Sequence, residues 1–213
     1  MSNVKVTLHF DGTGICYDRY EPIHLDALLG YQLSGIHCAN TNLSRSDVPE
    51  FVSLPLAMGC FAGRKIWRAS AFFVDEDTPE TVRHWRKKFR VSALRSTKGS
   101  PNLTSGIYRE YNTPIPLVLA RSVTAYCVCK PSRVRQLLSR IKFFGKKSSQ
   151  GIGYIVGVDV DRIDYDWSWV NDRNEAMRWL PDKNGVRMVR TQPPYWNSVD
   201  RVKCCEIGDV ILD

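Results

Sequence analysis

The chain has no apolar run approaching the roughly 20 residues that cross a bilayer as a helix, so no membrane partner is expected. Its first residues, MSNVKVTLHF, begin as a strand pattern. They lack the charged region, apolar region and cleavage site of a secretory leader, which places the expected location in the cytoplasm. Cysteine occurs at Cys16, Cys38, Cys60, Cys127, Cys129, Cys204 and Cys205 but never as C-x-x-C. An odd count without a leader argues against a disulfide framework and predicts buried free thiols. Cys127 and Cys129 share one face of a strand pattern. Zinc would need further ligands from elsewhere, and there are only four histidines. Neither a metal nor a cofactor is expected. Acid is missing from Thr81 to Arg109, where Arg83, Arg86, Lys87, Lys88, Arg90, Arg95, Lys98 and Arg109 stand without one Asp or Glu.

What is present points to an anionic partner. The 213 residues carry a formal charge of +8 and 43% hydrophobic residues. That suffices for one large packed domain, or a domain with an insertion, whose surface is basic. Nucleic acid fits such a surface, since the membrane alternative has fallen away.

Periodicity predicts an α+β fold. Val4, Val6, Leu8 and Phe10 alternate as the inward face of a strand. After Pro22, Leu25, Leu28, Leu29 and Ile36 fit one helical face that breaks near Gly35, with Asp26 close to the positive helix end. Residues 39–64 are loop-rich, with a short strand within 52–61, and residues 64–75 read as a strand. The acid-free stretch predicts a short helix followed by a flexible cationic arm, with Trp85, Phe89 and Tyr108 interleaved. Residues 115–129 form a strand pattern bent near Arg121. Pro131 opens a second helix with Val134, Leu137, Leu138, Ile141 and Phe144 as its stripe, flanked by Arg133, Arg135, Arg140 and Lys142 and stopped by Gly145. Residues 152–160 resume as a strand. The resulting order, β–α–β–(basic insertion)–β–α–β, is the ferredoxin-like (RNA-recognition-like) topology.

One stretch carries the chemistry: FFGKKSSQGIGY, from Phe143 to Tyr154. Glycine lets backbone approach a ligand and adopt positive φ, and successive N–H groups in such a loop form an anion nest. Lys146 and Lys147 add charge; Ser148, Ser149 and Gln150 add neutral donors. The spacing is not a Walker A loop, and the loop follows a helix rather than a strand, which excludes a dinucleotide fingerprint. With the acid-free insertion, it predicts two separate cationic surfaces, whose Lys and Arg would fix phosphates while aromatic rings stack on unpaired bases. Asp159, Asp161, Asp164 and Asp166 lack the glycine and terminal glutamate of an EF-hand and read as a solvated or partner-facing edge.

The loop GKKSSQGIGY after a helix resembles the glycine-rich loop of the RAMP proteins of CRISPR–Cas systems. The motif IHLDALLGY is similar to the first-helix motif of their Cas-five-like members, and the type IV group is the nearest. The resemblance spans residues 4–160 in element order. It implies a ferredoxin-like domain over residues 1–165, a thumb at about residues 78–114, and a C-terminal extension over residues 166–213 that matches no familiar motif. It also implies a non-catalytic subunit in antiviral defence that grips the 5′ handle of a guide RNA and caps a filament. Filament and large subunits are the implied partners, with target DNA as a further contact. On this resemblance Gly145, Lys146, Lys147, Ser148, Ser149, Gln150, Gly151 and Gly153 contact the RNA. Arg83, Arg86, Lys87, Lys88 and Arg90 act from the thumb, and Arg133 and Arg140 act from the second helix. His24, Leu25, Asp26, Leu28 and Leu29 orient the first helix. Three alternatives stay open, one of them a protein-interaction module that binds no nucleic acid itself, whose binding high salt would not weaken steeply. A second is a metal-independent RNA endonuclease using His24 or His37 with Tyr17, Tyr20 or Lys65. Another is a contact to target DNA beside the guide-paired region.

Overall fold

A computed structural model describes residues 1–33, 53–89 and 102–211. Ile36, the Gly35 break, His37, Cys38, Arg90, Arg95, Lys98 and most of the expected arm lie outside them. The core is a sheet with strand order β6-β1-β7, where β1 is Ser2–Phe10, β6 is Ser122–Cys129 and β7 is Ile155–Arg162; both pairings are antiparallel. Alternation decides which side is dry. Val4, Val6, Leu8 and Phe10 are buried on β1, and Val123, Ala125, Cys127 and Cys129 on β6. Helices α1 (Leu25–Leu33) and α2 (Pro131–Leu138) cover that face with Leu25, Leu29, Val134, Leu137 and Leu138.

Beyond β6, residues 68–73 run antiparallel to it through bridges at Ala69–Cys127 and Phe73–Thr124. A hairpin, β2 (Met58–Phe61) and β3 (Arg64–Trp67), precedes this segment. A second ribbon pairs β4 (Glu80–Lys87) with β5 (Tyr111–Val118), and β8 (Arg187–Val189) pairs with β9 (Val202–Cys204) near the C-terminus. The architecture is mixed, mostly strands with two helices.

Three expectations need correction. The acid-free stretch does not open with a helix: Glu80–Lys87 is β4. Thr81, Val82 and Trp85 favour a pleated surface, and β5 offers eight paired positions. Pro114 and Pro116 fit because this ribbon is only two strands wide, so their missing N–H groups face outward. Second, α2 ends at Leu138 and not at Gly145. The Lys142 carbonyl accepts from the Ile155 amide at 2.9 Å and Phe143 bridges Tyr154, which draws the chain out of the helix and onto the start of β7. Ile152 accordingly lies before that strand. Third, Cys60 is exposed, unlike Cys16, Cys127, Cys129, Cys204 and Cys205; all six are free thiols.

The C-terminal segment is tied into the first helix by a group that composition does not reveal. Arg178 is fully buried. Its guanidinium donates to the carbonyls of Trp67 and Ala69, both at 2.7 Å, and of Thr191 at 2.9 Å. It also meets Asp26 at 3.2 Å and the Tyr195 hydroxyl at 2.6 Å, and Tyr195 in turn donates to Asp26. Burial pushes the Asp26 carboxyl above its ordinary range while the Arg178 charge opposes that shift. Asp26 is therefore a buried partner, not only a charge at a helix end. No helix among the described residues is long and apolar enough to cross a membrane.

Candidate nucleic-acid interface

The ribbon and the glycine loop meet. Along β4 and β5, odd-numbered residues face one way: Arg83, Trp85 and Lys87 stand opposite Ile115, Thr113 and Tyr111. Even-numbered residues face the other way. There Arg86 Nε donates to Asn112 Oδ1 at 3.0 Å and His84 Nδ1 lies 3.0 Å from the same oxygen. The odd face forms one wall of a cleft of about 510 Å³, with Trp85, Lys87, Tyr111, Thr113 and Ile115 on it, Gly106 and Arg109 at its end, and Lys147 and Gln150 opposite. The two cationic surfaces expected to be separate are thus one. No acidic residue lines this cleft among the described residues.

A small satellite core explains the join. Cys16, Ile115, Leu117 and Ile152 are buried against each other. Ile115 and Leu117 come from β5, Ile152 from the glycine loop, and Cys16 from the segment between β1 and α1. Ile15 bridges Val118, and Cys16 bridges Lys146 through an amide-to-carbonyl bond of 2.8 Å.

The loop's glycines divide by what surrounds them. A Cβ on Gly145 would lie 2.6 Å from the Cys16 carbonyl oxygen, and one on Gly153 would lie 2.0 Å from that of Phe144. Both have positive φ, so these two glycines admit the protein's own backbone. Gly151, also at positive φ, faces open space. A 3-10 turn, Ser148–Gln150, lies between. The amides of Lys146, Gln150 and Gly151 already donate to the carbonyls of Cys16, Lys147 and Ser148. Those three amides are taken up inside the protein, the amides of Lys147, Ser148 and Ser149 between them have no backbone acceptor among the described residues, and the loop also presents its side chains. Lys147, Ser148 and Ser149 are exposed. Lys147 holds a left-handed φ of 64°, a conformation that non-glycine residues seldom adopt and that surrounding structure must impose.

Other expected contacts fall elsewhere. Lys146 leans toward Asp18 at 3.7 Å, an exposed pair of small energetic weight. Arg86 and Lys88 border a second hollow at the ribbon tip with Glu110 and Asn112. Arg133 and Arg140 are exposed beside or on α2 and do not line the cleft. Phe89 and Tyr108 pack on each other, centroids 4.8 Å apart. Sequence reasoning left Arg109, Tyr111 and Thr113 out of the site. The signal was there: YNTPIPLV alternates Tyr, Thr, Ile and Leu at odd positions, the mark of an edge strand with one inward face.

His24, Tyr17, Tyr20 and Lys65, the described residues considered for catalysis, do not line the cleft. His24 is 1% exposed, between the rings of Trp179 and Tyr195 at 4.7 Å each. Burial first, and the Arg178 charge second, hold its imidazole well below the ordinary 6.5. The Tyr17 hydroxyl donates to the Phe72 carbonyl and burial raises it. Asp159 accepts from His9 at 2.7 Å, and Asp166 pairs with Arg68.

A search of curated protein sequences finds no match. A family model does match, and it runs over residues 84–207. That span is more than half of the 213 residues. It begins on β4, includes every residue of the cleft, and continues through the C-terminal segment that resembled no familiar motif. The chain belongs to the family described as CRISPR type IV associated protein Csf3.

Proposed function

We propose that the chain is the non-catalytic RNA-binding subunit of a type IV CRISPR effector complex, holding the 5′ handle of the guide RNA in the cleft between the β4–β5 ribbon and the glycine loop. The observation that carries this reading is the convergence of Lys87, Arg109 and Lys147 with the exposed rings of Trp85 and Tyr111 in one cleft that no acidic residue lines among the described residues. Cations that fix phosphates beside rings that stack bases are what a single strand requires. In RNA-guided complexes base pairing reads the target, and protein holds backbone and shape; a site rich in charge and rings, with no His, Asp or Glu lining it among the described residues, suits that division.

On this reading the β4–β5 ribbon is the thumb, within residues 78–114, of a ferredoxin-like domain over residues 1–165. The adjacency of residues 68–73, β6, β1 and β7 supports that topology. Residues 166–213 are an extension bound through Arg178. Gly145 and Gly153 shape the loop, and Lys147, Ser148, Ser149 and Gln150 meet the RNA. Filament and large subunits are the partners, and the location is the cytoplasm.

The test is equilibrium binding of labelled handle RNA to the purified protein. Lys87→Glu with Lys147→Glu weakens binding by about tenfold or more, whereas Lys183→Glu, a charge change outside the cleft, leaves it within about twofold. Equal affinities in all three proteins refute the assignment. Metal-free incubation with repeat RNA yields no cleavage; products abolished by a point substitution would establish the endonuclease instead.

A further inference from the structure

Two rings stand together on the cleft wall. The Trp85 indole N–H donates to the Tyr111 hydroxyl at 2.9 Å, which fixes both side chains. They remain 37% and 38% exposed. Thr113 and Ile115 continue this wall inward. Gln150 stands across from it, and its Oε1 is out of solvent with no hydrogen-bond partner among the described residues. A buried acceptor without a donor is destabilising until something donates to it. The terminal torsion of glutamine is soft, so the amide can turn toward an entering group while the 3-10 turn that carries it stays in place. The cleft, about 510 Å³, lies within the range of pockets that enclose a small molecule.

We propose that the cleft accepts one unpaired nucleobase, stacked on the Trp85–Tyr111 shelf and read at its amino edge by Gln150 Oε1. The inference rests on the cleft being an RNA site and adds which part of the strand enters it. Lys87, Arg109 and Lys147 at the rim hold the flanking phosphates. Stacking tolerates every base, because each has a π face. The acceptor favours amino-bearing bases: adenine, cytosine and guanine carry an exocyclic amino group, whereas uracil presents carbonyl oxygens at the corresponding positions and only its ring N3–H as a donor.

The experiment uses the full chain and four probes of equal length: oligoadenylate, oligocytidylate, oligouridylate and an abasic strand. Oligoadenylate and oligocytidylate bind about fivefold more tightly than oligouridylate, and the abasic strand binds weakest. Gln150→Leu removes the preference for amino-bearing bases yet keeps the advantage over the abasic strand. Trp85→Ala brings all four strands close to the abasic level. An oligoadenylate that has lost only its amino groups, made from purine riboside, binds wild type like oligouridylate. Equal binding of the abasic and base-bearing strands overturns the inference while leaving a phosphate-binding cleft. Base-dependent binding that Gln150→Leu does not alter overturns the role of Gln150. Failure of every strand to bind refutes the RNA site itself, and this inference with it. Melting temperatures matching wild type establish that both variants fold.

Discussion

His24 offers the sharpest check on the physical reading, because a structural histidine and a catalytic one respond oppositely to acid. Its ring is fully buried between Trp179 and Tyr195, and its proton affinity is depressed by desolvation and then by Arg178. In the unfolded chain it titrates near 6.5. Below that pH the unfolded chain binds a proton that the folded chain refuses, so unfolding takes one up. The stability His24 contributes is present above 6.5 and is lost as pH falls below it, down toward its low folded value. The full slope is about 1.4 kcal/mol per pH unit. Integrated from about pH 7.5 to about pH 5.5, the loss is about 1.4 kcal/mol, or roughly 3–6 °C in melting temperature for a chain of this size. His24→Phe keeps a ring in the slot and removes the titration. Urea unfolding of both proteins at both pH values isolates the effect, since the remaining groups are common background. The wild type is expected to lose about 1.4 kcal/mol more than the variant. Equal losses refute the argument: His24 would then titrate normally when folded and could serve as a base.

Three further outcomes follow from the geometry. Asp26→Ala strands the buried Arg178 charge and is expected to cost about 3–5 kcal/mol, a fall of roughly 6–20 °C by calorimetry; a drop under a few degrees shows that the C-terminal segment does not depend on this pair. Gly153→Ala drives a Cβ to within 2.0 Å of the Phe144 carbonyl oxygen, while Gly151→Ala meets nothing within 4 Å. Thermal melts should therefore rank Gly153→Ala well below Gly151→Ala, which carries only the left-handed backbone cost of about 1–2 kcal/mol. For RNA binding, each phosphate of a single strand that is no longer neutralised lowers the slope of log affinity against log salt by about 0.7, so Lys87→Gln with Lys147→Gln lowers it by about 1.4. An unchanged slope in a binding titration removes both lysines from the interface.

The inward faces were legible because they obey a local period. Val4, Val6, Leu8 and Phe10, the Cys127 and Cys129 pair, and Val134 with Leu137 and Leu138 are all buried where alternation or helical spacing puts them. Local period failed where tertiary pairing decides. Residues 80–87 have no strand partner nearby in sequence; theirs lies at residues 111–118, beyond an intervening stretch that masks the relation. The end of α2 failed for the same reason, since the group that draws the chain away is the Ile155 amide. Arg178 sits in a run of Asp and Trp that reads as surface, and its partners Asp26 and Tyr195 lie 152 and 17 residues away. No spacing rule connects such a trio.

The glycine loop shows how one composition can carry two explanations that only packing separates. Glycine at Gly145, Gly151 and Gly153 is consistent with a backbone cradle for an anion and equally with a chain folded tightly on itself. The deciding fact is what occupies the space a Cβ would need. At Gly145 and Gly153 it is the protein's own carbonyls, and only at Gly151 is it open. Tight self-packing has a use here. It sets Ile152 into the satellite core with Ile115 and Leu117, so the loop and the ribbon are fixed to one another through apolar contact rather than charge. A cleft whose walls share a core keeps the ribbon and the loop in fixed register through that apolar contact. On the proposed reading the loop holds Lys147 and Gln150 on the cleft that the rings of the ribbon line, and Gly145 and Gly153 would serve the ligand at one remove.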